Sequence, residues 1–570
     1  MNEKTPTDRP ISADAISSFD PFDIVGSNLA VQQAWLLQPE RLCTIAQNLA
    51  LDISRAHDRF ARVSFGVPSE PAVAAVPYDE RFQDPVWINQ PGFAYVKDMY
   101  LLYGRWLEDA IYTTSDVDPA RRRRAAFWTK QWLDAIAPTN FFWTNPEALR
   151  RCIATYGLSL LWGLQNWLRD VAAGDVRMVE PDVFEVGRDL ATAPGQVVLR
   201  NDLLELIQYL PTTEQVHAVP IVLVAPWINK YYIMDLSPHN SLVRYLIDQG
   251  FTVFATSWKN PGSEARATTP EDYLLRGVRP ALEIARAICG VPHVHAAGYC
   301  LGGTALALLL AWLNADPADR ATNPVAHWTA FAALVDFGDP GEIGVFLNET
   351  SFEFLRERMA ATGYMDGATL ANAFRLLRPN SLIWHYAVHS YLYGEELPSS
   401  DVLFWNCDTT RMPAAMHEFY LRELYLNNRL AQAGELEIGG RRLDLGAIAQ
   451  SLYAVGAEQD HIAPWRQTFR LCGLTGGPAR YALATSGHIL GGIINPPADP
   501  PKRRYWSGDA TGQRDPDNWL EQTAKVSGSW WEDWTRWLSE RCGPLGPPPS
   551  LGNAEYPPLQ AAPGSYVLER

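Results

Sequence analysis

The stretch from residue 294 to residue 313, VHAAGYCLGGTALALLLAWL, contains no Asp, Glu, Lys or Arg, and it limits how this chain can fold. An uncharged stretch of this length either crosses a bilayer or lies in the core of a globular domain. Gly302 and Gly303 fall near its middle, where turn residues divide it into two short pieces. We therefore interpret the stretch as a buried strand, a sharp turn and a buried helix, and we expect no transmembrane segment.

The region around this stretch alternates between short apolar runs and longer amphipathic runs. The apolar runs predict strands at residues 219–225, 251–256, 293–298, 328–335, 451–456 and 480–484. The amphipathic runs predict helices at residues 238–249, 270–289 and 301–314. Strands that alternate with helices form a mostly parallel sheet with helices on both faces. The sequence therefore predicts an α/β domain.

Three other regions flank or interrupt this α/β pattern. Residues 1–190 show helical periodicity and predict a separate helical N-terminal domain, so that the α/β domain covers residues 191–545. Residues 339–430 are rich in aromatic side chains and break the strand–helix rhythm, which is typical of a lid insertion. Residues 546–570 are rich in proline and predict an extended, irregular C-terminal tail.

Composition excludes several classes of function. The 48 basic and 64 acidic side chains leave a net charge of −16, so we expect no nucleic-acid partner. The seven cysteines include no Cys-x-x-Cys pair, and His293 and His295 have no evident carboxylate or cysteine partner, so we expect no metal site. Residues 1–22 have no apolar segment of the kind that a signal peptide needs, which favours a cytoplasmic protein.

The segment Gly298-Tyr299-Cys300-Leu301-Gly302 places a nucleophile between two glycines, at the junction of a predicted strand and a predicted helix. That pattern is typical of the nucleophile elbow of an α/β-hydrolase fold, with cysteine where serine is more common. Glycines at 298 and 302 remove side chains where the turn is crowded. The N-terminus of the following helix favours a thiolate at Cys300. The alternative is a buried structural cysteine beside two turn glycines.

A nucleophile elbow requires an acid and then a histidine later in the chain. Asp460 and His488 follow the last two predicted strands in that order. We therefore predict a triad of Cys300, Asp460 and His488. Glu458 and His461 stand in the same loop as Asp460 and are the alternatives for the acid and the base.

The loop that follows the strand predicted at 219–225 should supply part of an oxyanion hole. In an α/β-hydrolase fold one backbone N–H comes from such a loop and the other from the residue after the nucleophile. We therefore predict the N–H groups of Leu301 and of either Ile228 or Trp227 as the donors. Pro226 lacks an N–H and is excluded.

Trp530, Trp534 and Trp537 recur at the spacing that places side chains on one helix face. Packing in the core is the favoured interpretation of this face. Contact with a hydrophobic product or partner is the alternative.

Several longer segments together resemble one family, the polyhydroxyalkanoate synthases. These segments run in family order from about residue 85 to about residue 540: PVWINQPGFAYVKDMYL, PWINKYYIMDLSPHNSLVRYLIDQG, GYCLGGT, FWNCDTTRMP, AEQDHIAPW, TSGHILGGIINPP and GSWWEDWTRWL. A helical N-terminal domain on the same chain as the catalytic domain resembles the single-subunit classes, and class I most closely. Gln459 departs from the family, whose members often have Glu before the aspartate.

The resemblance implies an acyltransferase that adds (R)-3-hydroxyacyl-CoA to a growing polyester and releases CoA. The monomer it implies is 3-hydroxybutyryl-CoA. In this reaction Cys300 becomes acylated, His488 takes the thiol proton and Asp460 orients the imidazole. No cofactor is expected, because CoA is part of the substrate and then a product.

The resemblance also implies partners and a location. The implied partners are a second copy of the chain in a homodimer and granule-associated proteins. The implied location is the surface of polyhydroxyalkanoate granules in the cytoplasm. The helical N-terminal domain would serve in dimerisation or in association with polymer. Two alternatives remain open: a cysteine thioesterase or depolymerase of the same fold, and a non-catalytic protein of the granule surface.

Overall fold

The computed structural model describes residues 20–67, 69–70 and 79–570. Most of residues 1–22, for which the sequence predicts no signal peptide, lie outside the described residues. The chain divides into two compact units. The first combines Met1–Glu180 with Asn348–Phe354 and Ala373–Pro398, and the second comprises Pro181–Leu347, Leu355–Asn372 and Ser399–Arg570. Within the described residues, every helix is too short or too polar to cross a membrane.

The first unit is helical over its described residues, as predicted. Its longer helices are Ile24–Leu37, Pro39–Ser64, Pro91–Tyr112, Pro119–Ala135, Pro146–Ala154 and Leu158–Ala173. A buried ion pair between Arg59 and Asp98 joins the two longest of them. Proline stands at the first position of four of these helices, where its missing N–H costs no hydrogen bond.

The insertion predicted at residues 339–430 is divided between the units, which differs from its prediction as part of the α/β domain. Its central part belongs to the helical unit because it bonds to side chains far away in sequence. Tyr391 donates its hydroxyl hydrogen bond to Asp170 at 2.7 Å, and Arg81 donates to the Asn380 side chain at 3.1 Å. Contacts between residues so distant in sequence leave no local pattern to read.

The second unit is built on an eleven-stranded sheet. In chain order its strands are β1 (Gly195–Arg200), β2 (Leu204–Tyr209), β3 (Ile221–Val224), β4 (Val253–Trp258), β5 (Val294–Tyr299), β6 (Val325–Phe331), β7 (Ser451–Ala457), β8 (Ala479–Ala484), β9 (Arg504–Asp509), β10 (Lys525–Ser527) and β11 (Gln560–Ala561). In space the order is β10-β9-β8-β7-β6-β5-β3-β4-β2-β1-β11.

The six central strands, β4-β3-β5-β6-β7-β8, are all parallel, and they are the six strands predicted from sequence. The strands at both edges pair antiparallel and were not predicted. β2 explains why: its sequence LELIQY is buried along its whole length although it contains Glu205 and Gln208. Buried polar residues interrupt the apolar run on which a strand prediction depends.

Helices cover the sheet, and the predicted helices are present as Leu242–Asp248, Arg279–Cys289 and Leu301–Ala315. The helix Leu301–Ala315 is buried at nearly every position, which explains why its sequence lacks charge. Trp530, Trp534 and Trp537 of the helix Trp530–Ser539 are buried too, so their predicted packing in the core is confirmed.

The strand order reverses between β3 and β5. From β3 the chain proceeds to β4 on one side, and from β5 it proceeds through β6 to β8 on the other. At such a switch point the loops that leave two adjacent parallel strands diverge and open a crevice at the carboxyl edge of the sheet. The loop after β3 and the turn after β5 therefore meet at this edge.

The C-terminal tail is irregular over most of its length, as predicted, but it belongs to the α/β unit instead of forming a separate segment. β11 extends the sheet by pairing with β1, and Val567 is buried. The fully buried carboxylate of Glu205 accepts hydrogen bonds from the backbone N–H groups of Ser565 and Tyr566 at 3.0 and 3.1 Å. A strand of two residues is too short to show alternation, so the sequence does not reveal it.

The adjacent residues Val567 and Leu568 test whether the tail belongs to the folded core. Val567 is 2% exposed and Leu568 is 54% exposed. Val567→Asp should lower the free energy of unfolding by about 3 kcal/mol or more, because it buries an unpaired charge. Leu568→Asp should change that free energy by less than about 0.5 kcal/mol. Urea denaturation measures both, and equal stability of the two variants would show that the tail is not packed.

Candidate active site

Cys300 is the single residue between β5, which ends at Tyr299, and the helix that begins at Leu301. Its backbone has φ +50° and ψ −121°, a conformation that residues with a side chain rarely adopt. The Cys300 N–H donates to the carbonyl of Phe331 at the end of β6, at 2.8 Å. The neighbouring strand therefore helps to hold the strained turn that the elbow pattern predicts.

Gly298 and Gly302 allow this turn to pack against the backbone around it. A Cβ atom at Gly302 would overlap the carbonyl of Val224, the last residue of β3. A Cβ atom at Gly298 would overlap the backbone of Gly302. The start of the helix is thus pressed directly onto the end of β3, and any side chain at either position would force the two apart.

Asp460 and His488 meet at the carboxyl edge of the sheet, in the loops that follow β7 and β8. His488 Nδ1 lies 2.7 Å from Asp460 Oδ2, and both side chains are buried. The other oxygen, Oδ1, accepts hydrogen bonds from the backbone N–H groups of Ile462 and Ala463, each at 2.8 Å. Both oxygens of Asp460 are therefore engaged, and one of them is directed at the imidazole.

The electrostatic surroundings of His488 favour its protonated form. Burial by itself would lower the pKa of His488, but the negative charges of Asp460 and of a Cys300 thiolate, together with hydrogen bonds to both side chains, raise it to about 10. The three predicted residues are thus close enough to interact as one unit. An imidazole that is stabilised as its cation can hold the proton of the Cys300 thiol.

The loop that carries His488 is fastened by the first turn of the helix Trp530–Ser539. The indole N–H of Trp530 donates to the carbonyl of Gly491 at 2.6 Å, and that of Trp531 donates to Ile493 at 3.0 Å. The Ser529 hydroxyl donates to the carbonyl of Asn495 in the same loop. These bonds restrict the backbone on which the imidazole is mounted.

The candidate oxyanion donors follow two adjacent strands, β3 and β5. Leu301 begins its helix, so its N–H has no acceptor within that helix. Ile228 and Trp227 lie in the loop that leaves β3, against which the elbow packs. The assignment of Leu301 with Ile228, and of Trp227 as the alternative, remains a prediction.

Glu458 and His461, the alternatives for the acid and the base, do not take the places of Asp460 and His488 in the buried pair. Glu458 is exposed, and the carboxylate that bonds His488 belongs to Asp460. His461 stands in the loop whose backbone N–H groups bond Asp460 on the side away from His488.

His295 is buried, with one ring nitrogen against His327 and the other 2.9 Å from the Thr329 hydroxyl. Among the described residues, no three His, Cys, Asp or Glu side chains are grouped to hold a metal ion.

Two tyrosines of the insertion lie near Cys300, and the sequence places them only within the predicted lid insertion. The hydroxyls of Tyr420 and Tyr425 are 3.1 Å apart; the Tyr420 side chain is buried and the Tyr425 side chain is half-buried. Burial raises the pKa of both phenols, and the charge of a Cys300 thiolate contributes to the rise. The aromatic content of residues 339–430 was the available signal, but nothing in it singled out these two hydroxyls.

Comparison with known proteins shows similarity along nearly the whole chain. Residues 78–246 match the family described as poly-beta-hydroxybutyrate polymerase (PhaC) N-terminus. Residues 228–491 match the family described as alpha/beta hydrolase fold, which confirms the predicted fold class.

Individual relatives agree with these family matches. The chain is 40% identical to a poly(3-hydroxyalkanoate) polymerase of Methylorubrum extorquens, in an alignment that covers 94% of this chain and 88% of that protein. It is 39% identical to a poly(3-hydroxyalkanoate) polymerase subunit of Cupriavidus necator, covering 86% of this chain and 83% of that protein. It is also 39% identical to poly(3-hydroxyalkanoate) polymerase 1 of Ectopseudomonas oleovorans, covering 86% and 87%.

The packing of the elbow predicts the effect of enlarging Gly302. Gly302→Ala should lower the free energy of unfolding by about 2 kcal/mol or more, because the added Cβ meets backbone that has no room to move. Gly546→Ala in the same unit places its Cβ in open space and serves as the control. Urea denaturation compares the two variants, and a Gly302→Ala protein as stable as the control would contradict the packing.

The ion pair predicts how His488 titrates. Asp460→Asn should lower the pKa of His488 from about 10, because a neutral amide removes the charge that stabilises the imidazolium. Titration of the histidine ring by NMR measures this pKa, with His488→Gln to assign the resonance. Glu458→Gln removes an exposed carboxylate of the same loop and should leave the titration unchanged. An equal shift in that control would contradict the assignment.

The same pair makes the stability of the unit depend on pH. Because the pKa of His488 is raised on folding, protonation stabilises the fold fully below the unfolded value of 6.5, and this contribution is lost as the pH rises through about 10. The difference in unfolding free energy between the wild type and Asp460→Asn should therefore shrink from pH 6.5 to pH 10. Denaturation at both pH values measures it.

Proposed function

Because this chain belongs to the family of poly(3-hydroxyalkanoate) polymerases, we propose that it polymerises (R)-3-hydroxyacyl-CoA into polyester through a covalent intermediate on Cys300. The observation that carries the proposal is the cysteine in the strained elbow, with the buried Asp460–His488 pair beside it. A nucleophile, a base and an acid that orients the base are the groups that acyl transfer requires.

In the first step Cys300 Sγ gives its proton to His488 Nε2 and attacks the thioester carbonyl. A carbon–sulfur bond forms, and the carbonyl electron pair moves onto oxygen, where the N–H groups of Leu301 and Ile228 stabilise the negative charge. The oxyanion then collapses and the bond to the CoA sulfur breaks. The departing CoA thiolate takes the proton from His488, which leaves an acyl-Cys300 and free CoA.

In the second step a 3-hydroxyl group accepts the acyl group. His488 removes the hydroxyl proton while the oxygen attacks the acyl-Cys300 carbonyl, and the Cys300 sulfur leaves as the ester bond forms. A cysteine nucleophile suits this reaction. The intermediate remains a thioester, so transfer to an alcohol runs downhill, whereas transfer from an acyl-serine would have little driving force.

Polymerisation requires that water be kept from the acyl enzyme, because hydrolysis would release a free hydroxy acid. The two tyrosines of the insertion near Cys300 support this requirement, since the buried Tyr420 also packs against Trp227 in the loop after β3. These aromatic side chains would help to keep water from the acyl enzyme on the insertion side.

The finer points of the proposal follow the family. The enzyme would be a class I acyltransferase that prefers 3-hydroxybutyryl-CoA and needs no cofactor. It would act as a homodimer at the surface of polymer granules in the cytoplasm, together with granule-associated proteins. The helical unit would contribute to dimerisation or to the association with polymer.

The decisive experiment measures CoA release from (R)-3-hydroxybutyryl-CoA by the purified protein, together with analysis of the product. The wild type should release CoA and form insoluble polyester. Cys300→Ala should lower the rate by at least about 10³-fold, because it removes the nucleophile. Cys43→Ala removes an exposed cysteine and should retain full activity.

The other outcomes separate the alternatives. CoA release with only free 3-hydroxybutyrate as product would indicate a thioesterase instead. Binding of polymer by both the wild type and Cys300→Ala, without any release of CoA from short-chain or medium-chain substrates, would indicate a non-catalytic granule protein. Full activity of Cys300→Ala would overturn the assignment of the nucleophile.

A further inference from the structure

The loop that leaves β3 is held by a distant segment of the chain, residues 405–411 of the insertion. The indole N–H of Trp405 donates to the carbonyl of Lys230 at 2.7 Å, and both residues are buried. Lys230 in turn forms an ion pair of 2.8 Å with Asp408. Two residues about 175 positions away in sequence thus fix the residue that ends the candidate oxyanion loop.

Asp408 makes a second bond to the same region. Its Oδ2 atom accepts a hydrogen bond of 2.9 Å from the hydroxyl of Tyr232, while Oδ1 faces the Lys230 ammonium. The Lys230 side chain is 6% exposed, so a partner for its charge is required. The backbone after position 229 therefore has little freedom to move independently of the insertion.

Asn229 connects this fixed region to Ile228, and its backbone is strained. Its φ of +63° lies in the left-handed region, which costs free energy for a residue with a side chain. The N–H of Asn229 donates to the hydroxyl oxygen of Thr410 at 2.8 Å. This bond joins the insertion to the peptide unit that directly follows the Cα atom of Ile228.

We propose that Thr410 is a positioning residue for the oxyanion hole. By holding the peptide that follows Ile228, its hydroxyl restricts rotation of the Ile228 backbone and so keeps the N–H of Ile228, which belongs to the preceding peptide, directed at the carbonyl oxygen of a thioester bound at Cys300. This inference rests on the proposed function. The oxyanion hole would then depend both on the nucleophile elbow, which supplies Leu301, and on the insertion, which aligns Ile228.

The physical reason lies in how sharply such a site depends on geometry. An oxyanion donor stabilises the transition state only when it already points at the developing charge, and a displacement of about 1 Å can cost about a hundredfold in rate. The strained backbone at Asn229 would relax without a partner for its N–H. Thr410 therefore acts on the rate of acylation rather than on the binding of substrate.

The test replaces Thr410 by Val, which keeps the shape of the side chain and removes the acceptor. We expect kcat for CoA release to fall at least about tenfold while KM changes less than about twofold. Thr410→Ser restores the hydroxyl and should recover most of kcat. Thr409→Val, at the neighbouring threonine, is the matched control and should retain wild-type kcat.

A second measurement distinguishes positioning from general damage. Iodoacetamide alkylates Cys300 without forming an oxyanion. The rate of this alkylation, measured by mass spectrometry of the Cys300 peptide, should therefore be the same in Thr410→Val as in the wild type. Thr410→Ala repeats both measurements if the valine variant does not fold. An unchanged kcat in Thr410→Val, or in Thr410→Ala if the valine variant does not fold, would overturn the inference while the proposed function stands. The inference would also be overturned if Thr410→Val lost CoA release and Cys300 alkylation to the same extent and Thr410→Ser restored neither. A wild type that releases no CoA would overturn the proposed function and this inference with it.

Discussion

The direct contact between the start of the helix Leu301–Ala315 and the end of β3 is the constraint on which the rest of the site depends. Glycine at 298 and 302 permits it, because any Cβ at these positions would overlap backbone. The contact sets Cys300 at an unfavourable φ of +50°, and hydrogen bonding to β6 helps to maintain that strain. It also brings the N–H of Leu301 beside the loop that carries Ile228. One packing arrangement thus positions both the candidate nucleophile and the candidate oxyanion donors.

Electrostatic interactions set the charge state of His488 in this site. A buried histidine would ordinarily lose its proton, but Asp460 and Cys300 reverse that tendency for His488. The carboxylate is itself held by two backbone N–H groups, and the histidine loop is held by Trp530 and Trp531. The tryptophan-rich helix therefore packs in the core and also braces the loop that carries His488. Rigid support of this kind lets a proton move without rearrangement of the site.

Much of this arrangement was predictable because it follows local rules. The six central strands, the elbow and the order of Cys300, Asp460 and His488 all leave patterns within a few residues of sequence. The edge strands did not, because β2 buries Glu205 and Gln208, and β11 is only two residues long. The Glu205 carboxylate is satisfied by the C-terminal tail, a contact across about 360 residues that no local pattern contains.

The sequence by itself determined the class of fold, and it predicted the candidate nucleophile and the two residues proposed to assist it. It could do so because glycine spacing, apolar runs and strand-end residues are local requirements of the α/β-hydrolase fold. Only the tertiary structure decided which carboxylate oxygen faces His488, which tyrosines lie near Cys300 and which threonine holds the N–H of Asn229. Those contacts join residues from separate loops, and their geometry exists only once the sheet has brought the loops together.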